Sequence, residues 1–214
     1  MKSSLIRPAL ALALAAGLAG CGGSDKAEFV VKGTVAGIVY PGAVLQTNGM
    51  EVAIPVPAKP GDTVSFAFPN KLEYGDEYNV TFKSTPQHQS QCGMPQGTIV
   101  QNNRDTAGRL ADINIAFVCY VNPHPLKGKV NGLTADGLVL ANGSTGGSGP
   151  VQKPAAGVTT PIDFTLPDVL YGTTYGVVVI SQPTGQVCTV VNGTGTMPDA
   201  EVTNIQVNCV AAPS

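Results

Sequence analysis

The chain has 214 residues, of which 12% are charged, with 12 Lys and Arg against 14 Asp and Glu and a net charge of -2. This balance argues against a nucleic-acid-binding protein, because no basic surface is available to replace the counterions of the phosphates. The 43% apolar content also argues against an intrinsically disordered chain, since that content can fill a hydrophobic core.

The first twenty residues have the composition of a secretory signal. Lys2 and Arg7 supply a positive start, and residues 9–20 contain only Ala, Leu and Gly. That apolar stretch is too short for a bilayer-spanning helix, which needs about 20 apolar residues. We therefore predict that residues 1–20 are a signal peptide that is removed on maturation.

The residues around the first cysteine predict a membrane anchor. Leu18, Ala19 and Gly20 directly precede Cys21, and this run resembles the bacterial lipobox. The resemblance implies that the signal is cut before Cys21 and that this cysteine carries several acyl chains, which together hold a protein stably on a bilayer. Gly22 stands where an Asp would imply retention in the inner membrane, so the resemblance implies an outer-membrane lipoprotein with a tether over residues 21–28. The alternative is ordinary secretion, with Cys21 left as a free thiol.

Most of the remaining chain is a tandem duplication. The segment "KGTVAGIVYPGAVL" that starts at Lys32 is repeated as "KGKVNGLTADGLVL" from Lys127, at an offset of 95. Later segments also correspond, at slightly different offsets, up to the last cysteine of each copy. Such self-similarity indicates two copies of one structural unit. We predict a first repeat over residues 29–121, a linker over 122–125, a second repeat over 126–210 and a tail over 211–214.

Four cysteines remain after Cys21, and we predict that they form two structural disulfides. In an oxidising compartment four cysteines favour disulfides, and composition alone permits three connectivities. Because the duplication gives each repeat its own pair, we expect one bond within each repeat, with a contribution of about 3–4 kcal/mol apiece. The predicted pairs are Cys92 with Cys119 and Cys188 with Cys209.

Short alternating segments broken by Gly, Pro and Asn predict an all-β fold. We expect two tandem β-sandwich domains with immunoglobulin-like or prealbumin-like topology. The long Gly- and Ser-rich segment over residues 142–157 is predicted as an irregular insertion, which is either a partner-binding loop or a mobile tip. Strands are predicted near residues 29–36, 43–47, 50–54, 62–68, 77–84, 97–101 and 112–119 of the first repeat, and near 127–133, 137–141, 160–166, 174–181, 187–191 and 201–209 of the second.

The repeat also resembles one that is common in uncharacterised Gram-negative surface lipoproteins. The resemblance rests on the Gly-x-Val-x-Gly start, the segments "LEYGDEY" and "LYGTTY", the Pro-x-x-Gln-x-Cys run and the closing "VTNIQVNC". The first repeat departs from the last motif with "ADINIAFVC". No reaction is assigned to that family, so the resemblance implies a surface lipoprotein without implying a catalytic residue.

The sequence has no recognisable catalytic or metal-binding motif. His88 and His124 lie in different polar segments and lack the ligand spacing of a zinc or copper site. No Gly-x-Ser-x-Gly motif is present. We therefore expect both histidines to be exposed loop residues, and we predict that the protein is not an enzyme and has neither a cofactor nor a metal.

Three functional hypotheses follow from these patterns. The first is a non-enzymatic envelope lipoprotein that acts as a spacer or as a protein-interaction module. The second is an adhesin-like module that binds a carbohydrate or a surface protein through Tyr40, Tyr74, Tyr120 or Tyr171 at the ends of the sandwiches. The third is an accessory subunit of an enzyme.

Overall fold

The fold is described from a computed structural model, which covers residues 26–99, 101–143, 147–157 and 161–213. Cys21 and the predicted signal peptide over residues 1–20 lie outside this part of the chain. Every regular element in the described ranges is a β-strand. Among these residues there is accordingly no helix that is long and apolar enough to cross a membrane.

Nineteen strands lie within the described residues. The strands before residue 121 are β1 (Glu28–Phe29), β2 (Val31–Ala36), β3 (Ala43–Thr47), β4 (Met50–Ile54), β5 (Val64–Ala67), β6 (Leu72–Glu73), β7 (Glu77–Asn79), β8 (Thr81–Ser84), β9 (Gln91–Gly93), β10 (Arg104–Thr106) and β11 (Ile113–Tyr120). The later strands are β12 (Pro123–Asn131), β13 (Val139–Asn142), β14 (Ser148–Pro150), β15 (Ile162–Leu170), β16 (Thr174–Ser181), β17 (Gln186–Val191), β18 (Thr194–Thr196) and β19 (Val202–Ala211).

The two repeats have the same sheet topology. One sheet has the order β5-β2-β11-β9 in the first repeat and β15-β12-β19-β17 in the second. The facing sheets have the orders β4-β3-β8 and β14-β13-β16-β18. In each repeat an early strand pairs in parallel with the last strand, β2 with β11 and β12 with β19. The predicted all-β fold with tandem β-sandwich domains is confirmed.

Each repeat has its own hydrophobic core, built from alternate residues of its strands. In β11 the buried positions are Ile113, Ile115, Phe117 and Cys119, as the period of two in a strand requires. The structure joins Cys92 to Cys119 between β9 and β11, with 4.1 Å between their Cα atoms, and it joins Cys188 to Cys209 between β17 and β19, at 4.0 Å. Each disulfide therefore links neighbouring strands within one repeat.

One glycine that the repeats share is explained by close packing of the parallel strands. A Cβ atom on Gly33 would lie 1.9 Å from the carbonyl oxygen of Ile115, and one on Gly128 would lie 2.2 Å from that of Ile205. Any larger residue would push β2 away from β11, or β12 away from β19. The Gly of the repeated Lys-Gly-x-Val motif is thus required for this strand pairing.

The predicted strand over residues 97–101 is wrong within the described residues. The backbone N–H and the hydroxyl of Thr98 both donate to the carbonyl oxygen of Pro95, at 3.2 and 2.6 Å, and Gly97 has a φ of 81°. These bonds form a turn, so the local polar contacts override the β-propensity of the segment. The segment predicted as an irregular insertion also contains β14, which pairs with β13.

The predicted linker continues directly into a sheet. Strand β12 begins at Pro123, which pairs with Leu170 of β15, whereas pairing of β12 with β19 begins only at Leu126. The prolines at 123 and 125 are tolerated because they precede the part of β12 that has a partner on both sides. Only two residues, Val121 and Asn122, therefore lie between β11 and β12.

Candidate functional site at the junction of the repeats

A histidine occupies an unfavourable backbone position in the turn before β9. His88 has a φ of 57°, whereas the equivalent residue of the second repeat is Gly185, with a φ of 70°. The two turns are otherwise alike, since Gln89 and Gln186 each donate a backbone N–H to the proline three residues earlier, at 3.2 Å. A left-handed conformation costs a residue with a Cβ about 1–2 kcal/mol. Such an outlier indicates that the side chain has a specific role.

A buried glutamine fixes the two loops that flank this position. The Oε1 atom of Gln89 accepts hydrogen bonds from the backbone N–H groups of Val39 and Tyr40, at 2.8 and 3.0 Å. Its Nε2 atom donates to the carbonyl oxygen of Gly37 at 2.6 Å. Gln186 makes the same three bonds in the second repeat. In the first repeat this framework places the Tyr40 ring beside His88.

One carboxylate of the second repeat accepts hydrogen bonds from both histidines. The two oxygens of Asp199, in the turn before β19, accept hydrogen bonds from His88 Nδ1 and His124 Nε2, each at 2.8 Å. The amide of Asn122 also donates to Asp199, at 2.9 Å. We call this group, together with Tyr40 and Tyr171, the junction cluster. It connects a turn of the first repeat, the linker and a turn of the second repeat.

Aromatic packing adds to these polar contacts. The imidazole of His88 stacks on the Tyr171 ring, with 3.8 Å between centroids and 21° between planes. Tyr40 meets His88 edge-on at 5.3 Å and Tyr171 at 5.5 Å. Aromatic pairs in these arrangements contribute about 0.5–1.5 kcal/mol beyond the area that they bury. The His88 side chain is therefore packed between one tyrosine from each repeat.

Asn122 bonds to both repeats at once. Towards the first repeat, its backbone N–H donates to the His88 carbonyl at 2.8 Å, and its Oδ1 atom accepts from the backbone N–H and the hydroxyl of Ser90, both at 2.8 Å. Towards the second repeat, its carbonyl oxygen accepts from the Tyr171 N–H at 2.9 Å, and its amide reaches Asp199. Asn122, the residue directly before β12, is thus held on both sides.

The hydrogen bonds at the junction stabilise the ionised form of Asp199. Donation by Asn122, and then by His124 and His88, holds the pKa of the Asp199 carboxyl well below its ordinary value. A carboxyl group that accepts three hydrogen bonds is stabilised in its ionised form. Asp199 is therefore ionised throughout the physiological pH range, and either imidazole can donate to it in its neutral or its protonated form.

The expectation for the two histidines is wrong. They converge on one carboxylate although they are 36 residues apart in the chain, and both are half-buried. The sequence did not predict this convergence, because the turn with His88 and the linker with His124 come together only through the topology of the two repeats. One signal was available before the structure, since His88 aligns with Gly185 in the duplication.

The four tyrosines proposed for ligand binding are divided. Tyr40 and Tyr171 meet in the junction cluster, where their rings are half-buried. Tyr74 has 64% of its surface exposed and its ring lies over Gly108, and Tyr120 is 48% exposed at the end of β11. Two of the four side chains therefore serve contacts within the chain.

The polar groups of the junction cluster are used in contacts within the chain. Each imidazole uses the nitrogen that faces Asp199 as a donor, and the Ser90 hydroxyl donates to Asn122. In the ranges that the structure covers, no group of three or more His, Cys, Asp or Glu side chains is arranged to hold a metal ion. The predicted lipid-bearing residue, Cys21, lies outside these ranges.

Comparison with known proteins identifies no family. No protein-family model matches the chain, and no curated protein matches it. Two major pilin proteins from Streptococcus pyogenes align with 13% and 11% identity and TM-scores of 0.30 and 0.29; each alignment covers 88% of this chain, and 99% and 98% of the respective pilin. A minor pilin from Streptococcus agalactiae aligns with 10% identity and a TM-score of 0.23, over 86% of this chain and 98% of the pilin. At these TM-scores the similarity supports no conclusion about fold or function.

Proposed function

We propose that the protein is a non-enzymatic lipoprotein of the outer membrane, in which two β-sandwich repeats form a stiff spacer or protein-interaction module that is anchored through Cys21. The junction cluster is the observation that carries this proposal. A flexible pair of domains needs only a polar linker, whereas here His88, Asn122, His124 and Asp199 bond the repeats to each other. Fixed orientation is what a spacer requires.

The path of the chain supports a spacer with its anchor at one end. Strand β2 starts at Val31, away from the junction, and runs towards Tyr40 in the junction cluster. Strand β12 starts at the junction and leads away from it over nine residues. At about 3.3 Å per residue, β2 spans about 20 Å and β12 about 30 Å. The proposed anchor and the free end of the second repeat therefore lie at opposite ends of the chain's path.

The free end of the second repeat lacks the residues that form the joint. The positions equivalent to Tyr40 and His88 are Ala135 and Gly185, although the surrounding glutamine framework is the same. The second repeat therefore has neither the aromatic ring nor the imidazole that the first repeat uses to hold its neighbour. This difference supports a spacer of two units, in which only one end of one repeat is built to receive another.

Intact-mass analysis of protein extracted from membranes tests the proposal. We expect the mass to show loss of residues 1–20 and addition of acyl groups at Cys21. The Cys21→Ser variant is the matched control, and it should leave the membrane fraction while keeping both disulfides. An unmodified Cys21, or a leader that is still attached to the membrane-bound protein, would contradict the anchor.

A further inference from the structure

The end of the first repeat that faces the proposed anchor has the same backbone construction as the end of the second repeat at the junction. The Tyr74 N–H donates to the Ala27 carbonyl at 2.8 Å, just as the Tyr171 N–H donates to the Asn122 carbonyl at 2.9 Å. Similarly, the N–H of Ala107 bonds to Asp76 as that of Met197 bonds to Thr173, at 2.7 and 2.8 Å. Tyr74 is thus the equivalent of Tyr171, a residue that another domain covers.

The side chains at this end differ from those at the junction. By the same equivalence, Arg109 and Leu110 stand where the second repeat has Asp199 and Ala200. The Arg109 side chain is 74% exposed, and Leu110 and Tyr74 are 42% and 64% exposed. We call Tyr74, Arg109 and Leu110 the anchor-side patch. The cation Arg109 thus replaces Asp199, the acid that accepts hydrogen bonds from two imidazoles at the junction, and the larger apolar Leu110 replaces Ala200.

This combination fits the surface of a phospholipid bilayer. Tyrosine rings are enriched at the headgroup level of membranes, and a guanidinium can bind a phosphate with two parallel hydrogen bonds. Two nearby acids are paired, Glu73 with Lys26 at 2.6 Å and Glu28 with Lys71 at 2.7 Å, whereas Asp76, which accepts from the Glu73 N–H at 2.9 Å, has no ion-pair partner among the described residues. Arg109 itself contacts Asp105 at 3.1 Å. Since these charges largely cancel, the patch suits a zwitterionic surface better than a strongly anionic one.

The length of the tether keeps this end of the repeat near the membrane. Lys26 lies five residues after Cys21, so the chain between them spans at most about 18 Å. We propose that the anchor-side patch docks on the phospholipid surface that holds the acylated Cys21. This inference rests on the proposed lipid anchor, and it adds an oriented contact between the folded domain and the bilayer.

The absence of tryptophan from the chain allows a direct test. The full-length lipidated protein is prepared as the Tyr74→Trp variant in phosphatidylcholine vesicles, with and without brominated acyl chains. We expect a blue-shifted emission and at least a twofold loss of intensity with the brominated lipid. The Tyr120→Trp variant is the control, because Tyr120 is ten residues after Leu110, at the far end of the eight-residue strand β11, which spans about 25 Å. Its emission should stay unquenched.

A second variant separates docking from anchoring. Adding Arg109→Glu and Leu110→Ser to the Tyr74→Trp protein should reduce the quenching to the level of the Tyr120→Trp control, while the protein still floats with the vesicles. If the Tyr74→Trp protein floats with the vesicles and its indole is unquenched, docking is overturned and the anchor stands. Protein that does not float with vesicles would overturn the anchor itself, and docking with it.

Discussion

Replacing the buried glutamine of the first repeat with leucine should destabilise that repeat strongly. Gln89 is 0% exposed and makes three hydrogen bonds to the backbone of the loop that carries Tyr40. The Gln89→Leu variant keeps the approximate volume but leaves two N–H donors and one carbonyl without a partner. At about 1 kcal/mol for each bond, the expected loss in free energy of unfolding is about 3 kcal/mol. A domain has about 5–15 kcal/mol in total.

Hydrogen exchange measured by mass spectrometry on the folded protein can report each repeat separately. We expect the protection of core amides in the first repeat to fall by about 3 kcal/mol, with little change in the core of the second. Gln186→Leu should reverse this pattern. Gln87→Leu is the matched control, because the Gln87 side chain is exposed. A loss below about 1 kcal/mol for Gln89→Leu would refute the assignment of these bonds as the support of the loop.

Three further predictions concern the junction and the core. His88→Gly and His88→Ala both remove the contacts with Tyr171 and Asp199, but only glycine relieves the left-handed strain, so His88→Gly should be about 1 kcal/mol more stable than His88→Ala in urea denaturation; equal stability would contradict the strain. Because the pKa of Asp199 is lowered in the folded state, its ionised form stabilises the fold above the ordinary carboxyl pKa of about 3.9, and this stabilisation is lost as the pH falls below that value. Thermal melting from about pH 7 to 2 should show this loss of stability. The Asp199→Asn variant should lack this part of the pH dependence. Gly33→Ala should cost about 3 kcal/mol in the same denaturation assay, whereas Gly93→Ala, whose added Cβ meets no atom within 4 Å, should cost far less.

The repeated features of the fold were predictable, because each copy states the same physical requirement. Gly33 and Gly128 recur since the parallel strands leave no space for a Cβ. The two cysteine pairs recur at the same places in the sheets. Short strands such as β10 and β14, with three residues each, were missed because a period of two is hardly visible over such a length.

The junction cluster was not predictable as a unit because, apart from Tyr171, its members are residues that differ between the repeats. His88 replaces a glycine, and Asp199 stands where the first repeat has Arg109. A comparison that looks for shared residues passes over such positions. Their roles depend on contacts between turns that are far apart in the chain, and only the three-dimensional arrangement brings these turns together.

The spread of distances between the two repeats shows whether the junction holds them in one orientation. Spin labels can be attached by non-cysteine chemistry at Ser65 and Thr189, which are exposed and lie in different repeats, and pulsed electron spin resonance gives the distribution of distances. We predict one narrow distribution for the unaltered junction and a broad one when Tyr171→Ala and Asp199→Ala are combined. A broad distribution with the junction intact, or no broadening in the double variant, would contradict a fixed joint.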